Sequence, residues 1–174
     1  MMALLGGIFA VALTGSALAD AKNVTLYADQ FEFDNQNKVI LATGNVRVSH
    51  GPLLITGDRA RYSQEKHVVA MVGNVRMKRG AIEVSCNRLE ANTLTDVVTI
   101  DQQIRIEVGD IVVTADHAIV DVKSKQAVLT GNPHARQGKD EITAQTIRID
   151  LDKKRLLTQG QTKVVLSVDR LKGP

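Results

Sequence analysis

The sequence predicts an all-β fold, an antiparallel twisted β-jelly roll in the form of an open sandwich of bent strands. Three observations carry that prediction. A motif recurs without insertion at a step of 29 residues, apolar residues alternate with period two inside each copy, and a Gly-containing turn divides each copy into two strands. The step is read from Gly44-Asn45-Val46-Arg47-Val48 to Gly73-Asn74-Val75-Arg76-Met77, Gln102-Gln103-Ile104-Arg105-Ile106, Gly131-Asn132-Pro133-His134-Ala135 and Gly160-Gln161-Thr162-Lys163-Val164. A period of this length marks a repeat architecture in which no single unit can bury its apolar face alone.

In chain order, the first 19 residues carry no charge, Leu4 to Leu13 is an apolar run, and Ala17-Leu18-Ala19 before Asp20 fits a signal-peptidase site. Residues 1–19 are expected to be a signal peptide and residues 20–174 a single exported domain. The run lacks a preceding Lys or Arg, so an uncleaved membrane anchor is the alternative. Nothing resembles a lipobox.

The first strand is expected over Val24 to Phe33. In the next, Ile40, Ala42, Gly44, Val46 and Val48 form one face while Asn45 and Arg47 point away. The inward positions recur as Val69, Met71, Val75 and Met77, then Val98, Ile100, Ile104 and Ile106. Each copy turns at a glycine (Gly51, Gly80, Gly109) and resumes apolar alternation at Leu53 and Ile55, Ile82 and Val84, and Ile111 and Val113. Folding about Gly51 sets Val48 opposite Leu53, Val46 opposite Ile55 and Asn45 opposite Thr56, and in the next copies Arg76 opposite Glu83 and Asn74 opposite Ser85. On the returning strand the apolar phase changes past Gly57-Asp58, to Ala60 and Tyr62. One extra residue there, a β-bulge, would bend the strand and keep both halves facing inward. Asp29, Asp58 and Asp116 recur at this step as bulge and turn formers.

A parallel β-helix would also give such a period. It would stack Arg47, Arg76, Arg105, His134 and Lys163 about 4.8 Å apart in one column. A meander inserts a returning strand between them and is favoured. Its first strand and its last, Gln161 to Val168, are then edges with free backbone groups, open to strand addition unless flanking residues such as Lys22 cover them. The fourth and fifth copies place Ala127, Gly131, Pro133, Ala135, Asp140, Thr158 and Thr162 inside, which predicts a less tightly filled C-terminal end.

Composition excludes several classes. Aromatic residues are 3% with no Trp, so there is no base-stacking platform, and 22 basic against 19 acidic residues make no nucleic-acid patch. The four His (His50, His67, His117, His134) lack ligand spacing, Cys86 is a lone small residue of the bulge column, and no G-x-S-x-G or Walker loop occurs. No catalytic residue, metal or cofactor is expected. Arg47, Arg76 and Arg105 form a solvated basic column that could contact an anion.

The units "ATGNVRVSHGPLLITGDRARY" and "LTGNPHARQGKDEITAQTIRID", with the N-terminal "VTLYADQFEFD", resemble the LptA/OstA family of periplasmic lipopolysaccharide-transport proteins over about residues 22 to 168. The resemblance implies a jelly roll that holds the lipid A part of lipopolysaccharide in its apolar interior. It also implies a periplasmic location and head-to-tail self-association through edge strands, bridging an inner-membrane-anchored transport partner to an outer-membrane translocon. By position, Val24, Leu26 and Val120 match apolar lumen positions of the family. Strand parity adds Phe31, Phe33, Val46, Val48, Ile55, Val75, Met77, Val84, Ile104, Ile106 and Val113. The edges expected to meet a partner are Val24, Thr25, Leu26 and Tyr27 at one end and Lys163, Val164, Val165 and Leu166 at the other. An anchored relay of the same superfamily and a structural β-repeat without lipid are the alternatives.

Overall fold

Two kinds of turn, alternating along the chain, make the architecture. In the computed structural model, which describes residues 25–150, 153 and 155–167, the glycine turns are two-residue hairpins. His50 pairs with Leu53 across Gly51-Pro52, and Arg79 with Ile82 across Gly80-Ala81. The first loop residue has positive φ (Gly51 +53°, Gly80 +57°, Gly109 +62°, Gly138 +61°) and the second does not, which is the type II′ pattern whose twist matches that of the flanking strands. Pro52 suits the second position because its ring fixes a negative φ. The opposite turns are four-residue loops opened by a side-chain acceptor. Asp34 Oδ1 accepts the Asn37 N–H at 2.9 Å, Asp121 Oδ1 the Ser124 N–H at 2.8 Å and Asp150 Oδ1 the Lys153 N–H at 2.9 Å. The Asn37 side-chain amide, which donates to Asp34 Oδ2 at 2.6 Å, together with the Asn37 N–H, holds the Asp34 carboxyl below its ordinary range, and the Ser124 N–H does the same for Asp121.

The hairpins connect β1 (Thr25–Tyr27), β2 (Gln30–Asp34), β3 (Val39–His50), β4 (Leu53–Ser63), β5 (Val68–Arg79), β6 (Ile82–Asn92), β7 (Val97–Val108) and β8 (Ile111–Asp121). Shorter strands follow: β9 (Gln126–Thr130), β10 (His134–Gln137), β11 (Asp140–Thr143), β12 (Thr146–Asp150), β13 (Arg155–Gln159) and β14 (Lys163–Val165). All pairs are antiparallel, in one 14-stranded open sheet. Each long strand is bent, so the sheet folds into two arms. One runs β1-β3-β4-β5-β6-β7-β8-β10-β11-β14, and the other carries β2, β9, β12 and β13 with the remaining halves of β3 to β8. This is the all-β twisted jelly roll, not closed into a barrel.

The hairpin register differs from the one read by folding about Gly51. Val48 faces Ile55, Arg47 faces Thr56, and Val46 faces Gly57. Arg76 faces Ser85, and Glu83 faces Lys78. Each partner is displaced by two residues because Ser49 and His50, read as turn residues, are paired within the strand, and the loop is Gly51-Pro52 alone. A slip of two leaves every side chain on its original face.

The bend also differs in detail. Between Thr43↔Arg59 and Val46↔Gly57, the two residues Gly44 and Asn45 oppose the single Asp58, so the extra residue sits on the Gly-Asn strand and not beside the Asp. Both bulge residues are left-handed (φ +77° and +46°). Asn45 does not meet Thr56. Its Nδ2 donates to Asp29 Oδ2 at 2.8 Å, across the strand that precedes it, and Asn74 repeats this with Asp58 at 2.9 Å. A Cβ at Gly44 or Gly73 would collide with that carboxylate, which is why glycine recurs there. In the third copy Gln102 and Gln103 take the left-handed positions and Asn87 replaces the aspartate, donating to Gln102 Oε1 at 2.8 Å.

Among the described residues, only strands that are hydrogen-bonded neighbours bring their Cα atoms close together, so the space between the arms is filled by side chains alone. A single core cluster draws on both arms, including Val46, Ile55, Met71, Leu89, Ile104, Leu129 and Ile147. Of the small residues expected inside the C-terminal end, Ala127, Pro133 and Ala135 are buried, Asp140 and Thr158 are half-buried, and Gly131 and Thr162 are exposed and not interior, so burial holds in part of the fourth copy and falls away in the fifth.

Candidate functional site: the cleft between the arms and its two ends

Strand pairing turns the inward positions into continuous rows, one residue per strand. In the first arm the row runs Leu26, Val48, Ile55, Met77, Val84, Ile106, Val113, Ala135, Ile142, Val164. Facing it in the second arm is Phe33, Ile40, Tyr62, Val69, Ala91, Val98, Val120, Ala127, Ile149, Leu156. Apart from the Tyr62 hydroxyl no polar side-chain group interrupts either row. Such a surface recognises hydrocarbon by area and shape, not by hydrogen bonds.

Access to the cleft varies along each strand. On β7, Ile104 is 1% exposed at the bend, Ile106 is half-buried, and Val108 is 39% exposed at the rim. On β8 the same progression runs from Ala115 through Val113 to Ile111. The expected lumen residues therefore fall into three groups. Val46, Val75 and Ile104 lie in the closed bend, and Val48, Ile55, Val84 and Val113 are also buried in the core. Leu26, Met77, Ile106 and Val120 are half-buried along its margin. Phe31 and Phe33 lie at the row ends, where their rings stack at 6.2 Å and Phe33 is 64% exposed. Val24 lies outside the described residues. The rim positions Ile82 and Ile111, read in the sequence as alternating apolar residues but not as lumen residues, and Val108, which was missed, lie two residues beyond Val84, Val113 and Ile106 in the same parity.

Cys86 belongs to the bend, paired with Val75, and burial pushes its thiol up to about 11. It is a packed apolar residue and not a nucleophile at neutral pH. His117 Nδ1 meets Asp101 Oδ1 in a hydrogen bond on the outer face, and Asp29, Asp58 and Asp116 are held by the bend amides. No group of three His, Cys, Asp or Glu able to hold a metal occurs among the described residues.

The sheet ends in two strands at each side. Thr25, Leu26 and Tyr27 form β1 and Lys163, Val164 and Val165 form β14, with Leu166 just beyond. In the second arm the edges are β2 and β13, so Arg155–Gln159 completes the C-terminal edge that the sequence had placed only over Gln161 to Val168. Val168 lies outside the described residues. Exposed large apolar side chains concentrate here: Tyr27, Phe31 and Phe33 at one end, and Leu156, Leu157, Val164, Val165 and Leu166 at the other. Arg47, Arg76 and Arg105 stand on the outer face of the first arm, away from the cleft.

An open, repeat-built jelly roll with facing apolar rows, whose terminal strands pair on one side alone among the described residues, defines a class of non-closed β-sandwich proteins. Residues 25–67 and 112–171 match the family described as LptA/(LptD N-terminal domain) LPS transport protein. The chain belongs to that family of lipopolysaccharide-transport proteins. Among solved structures, the chain is similar to LptH of Pseudomonas aeruginosa, described as the LptA homologous periplasmic component of the lipopolysaccharide transport device. The identity is 15%, the match covers 83% of this chain and 95% of that one, and the TM-score is 0.37. No curated protein matches. Among the described residues, no helix is long and apolar enough to cross a membrane, and residues 1–19, expected to be a signal peptide, lie outside them with the Ala19/Asp20 junction.

Proposed function

We propose that this protein is a periplasmic carrier that shields the lipid A acyl chains of lipopolysaccharide in the cleft and bridges two membrane assemblies by adding strands at both edges. The observation that supports this reading is the pair of apolar rows, broken only by the Tyr62 hydroxyl, buried at the bend and exposed at the rim of β6 to β8, where Ile82, Val108 and Ile111 stand. Acyl chains enter from the rim, between Met77 and Ile106 on one arm and Val98 and Val120 on the other. The bend holds the arms together and is not itself the lipid site. Lipid moves along the rows from strand to strand, and the chain needs no catalytic group for this.

Each arm contains ten strands in strict alternation, so its last strand runs opposite to its first. A second copy placed head to tail therefore meets it antiparallel in both arms. Continuing the 29-residue register sets Val164 opposite Leu26, Thr158 opposite Phe31 and Leu156 opposite Phe33, which extends every apolar row. The same two edges suit an inner-membrane-anchored partner at one end and an outer-membrane translocon at the other.

A photo-crosslinking residue at Ile106 is expected to label lipopolysaccharide, with none at outward Arg105 and little at closed Ile104. No labelling at Ile106 in a folded protein would leave a structural scaffold whose interior is only a core. Leu26→Pro, which removes a backbone donor at the edge, is expected to shift the protein toward monomer in sedimentation velocity. Unchanged concentration-dependent assembly would rule out strand addition at that edge.

A further inference from the structure

The two edges of the sheet carry opposite charge. Residues 25–34, which form β1, β2 and the step between them, hold Asp29, Glu32 and Asp34 and no cation, whereas residues 155–165, which form β13, β14 and their connection, hold Arg155 and Lys163 and no acid. Alternation puts Glu32, Asp34, Arg155 and Lys163 on the outer face, since Phe33, Leu156 and Val164 point into the cleft. Glu32, Arg155 and Lys163 are exposed. Asp29 and Asp34 accept from the neutral amides of Asn45 and Asn37, which leaves their charge in place. On the strands behind, Arg47 stands beside Tyr27, and Arg61 lies two strands in from Glu32. At the other edge Asp150, opposite Arg155, takes Lys153 at 3.7 Å, and Glu141, opposite Val165, lies 3.7 Å from His134.

The 29-residue columns also change at the edges. Arg155 stands where earlier copies carry Val39, Val68, Val97 and Gln126, and Tyr27, 61% exposed, where later copies carry Thr56, Ser85, Thr114 and Thr143. Continuing the register into a second copy sets Arg155 opposite its Asp34 and diagonal to its Glu32, and Lys163 opposite its Tyr27. Opposite charges on paired strands and a cation against an aromatic ring both favour that contact. Backbone hydrogen bonds alone give no such direction. A free edge can also pair antiparallel with the same edge of another copy across a two-fold axis. That pairing would set Asp29, Glu32 and Asp34 against themselves at one end, or Arg155 and Lys163 against themselves at the other.

Resting on the strand addition proposed above, we infer that edge charge selects the head-to-tail joint between copies of this chain, with Arg155 meeting Asp34 and Glu32 and Lys163 meeting Tyr27, and rejects both two-fold joints. A two-fold joint stops at two copies, whereas a head-to-tail joint leaves one free edge at each end. Like charges on like edges therefore keep the assembly open.

The test uses the full chain in sedimentation velocity. Arg155→Glu with Lys163→Glu makes both edges acidic, while Glu32→Lys with Asp34→Asn takes the acid excess from the first edge and keeps a turn acceptor at position 34. In low salt each variant alone is expected to self-associate about tenfold more weakly than the wild type. An equimolar mixture is expected to form a heterodimer with wild-type affinity, because the first variant keeps the native acidic edge and the second the native basic one. Wild-type association is expected to fall toward that of the variants in about 0.5 M salt. Lys66→Glu with Lys123→Glu, an equal charge change on the turns, is expected to alter it less than about twofold. Circular dichroism checks that each variant keeps the fold. Wild-type assembly by either edge variant alone, or a mixture that stays monomeric, would overturn the charge assignment. If Leu26→Pro abolishes assembly while the charge variants keep it, strand addition stands and charge selection fails. If the wild type itself does not assemble, both fail.

Discussion

The bend and the rim are built from the same residue types yet do opposite things. Ile104 and Ile111 are both inward isoleucines on adjacent strands of the first arm, one sealed among neighbours from both arms and the other open to solvent at the rim. What separates them is position along a bent strand, because the arms meet at the bend and diverge from it. The bend therefore carries the stability, and the rim is left free for a ligand.

The widest gap between the two regions should appear on truncation. Ile104→Ala is expected to cost about 3 kcal/mol and Ile111→Ala under about 1 kcal/mol by urea denaturation, since only the first leaves a cavity. Similar losses at both positions would mean that the rim is core as well. Next in size is Gly73→Ala, expected to cost about 2 kcal/mol, because the new methyl group meets the Asp58 carboxylate at a left-handed φ of +80°. Gln102 already carries a Cβ at the equivalent place, so Gln102→Ala should cost less than about 1 kcal/mol by the same measurement. Equal costs at the two corners would show that glycine is not what the bend requires.

The smallest effect concerns Cys86. Its thiol is raised from 9.0 to about 11 by burial, so the folded state favours the neutral form. That contribution is complete below pH 9 and is lost as pH rises through about 11, where the folded thiol also ionises. Stability should therefore be insensitive to Cys86→Ser titration differences at neutral pH and diverge only in strong alkali. Native Cys86 should react with iodoacetamide at least about a hundredfold more slowly than the unfolded chain, in proportion to thiolate.

Much of the fold was legible in the sequence because parity survives small errors. Val46, Val75 and Ile104 were assigned inward from alternation alone, and the two-residue slip in the hairpin register left them inward. Register was not legible, since it depends on whether Ser49 and His50 stand in the turn or the strand, and the apolar pattern fits either choice. The bend was half legible. Glycine and aspartate recur visibly, but Asn45 bonds Asp29, between β1 and β2, and not the hydroxyl ahead of it. A partner 16 residues back is invisible to hairpin reasoning. Depth was least legible of all, because alternation says which face a residue occupies and nothing about how far the opposite arm stands away.

The even strand count of each arm has a consequence for size. Every 29-residue copy adds one outgoing and one returning strand, so adding or removing a copy leaves both terminal strands with their directions unchanged. The chain is in effect a ruler graduated in steps of about 9.6 Å. Excision of residues 68–96 would shorten it by one graduation and still present the same two ends, so the distance such a protein covers can be tuned by copy number without redesigning what it joins.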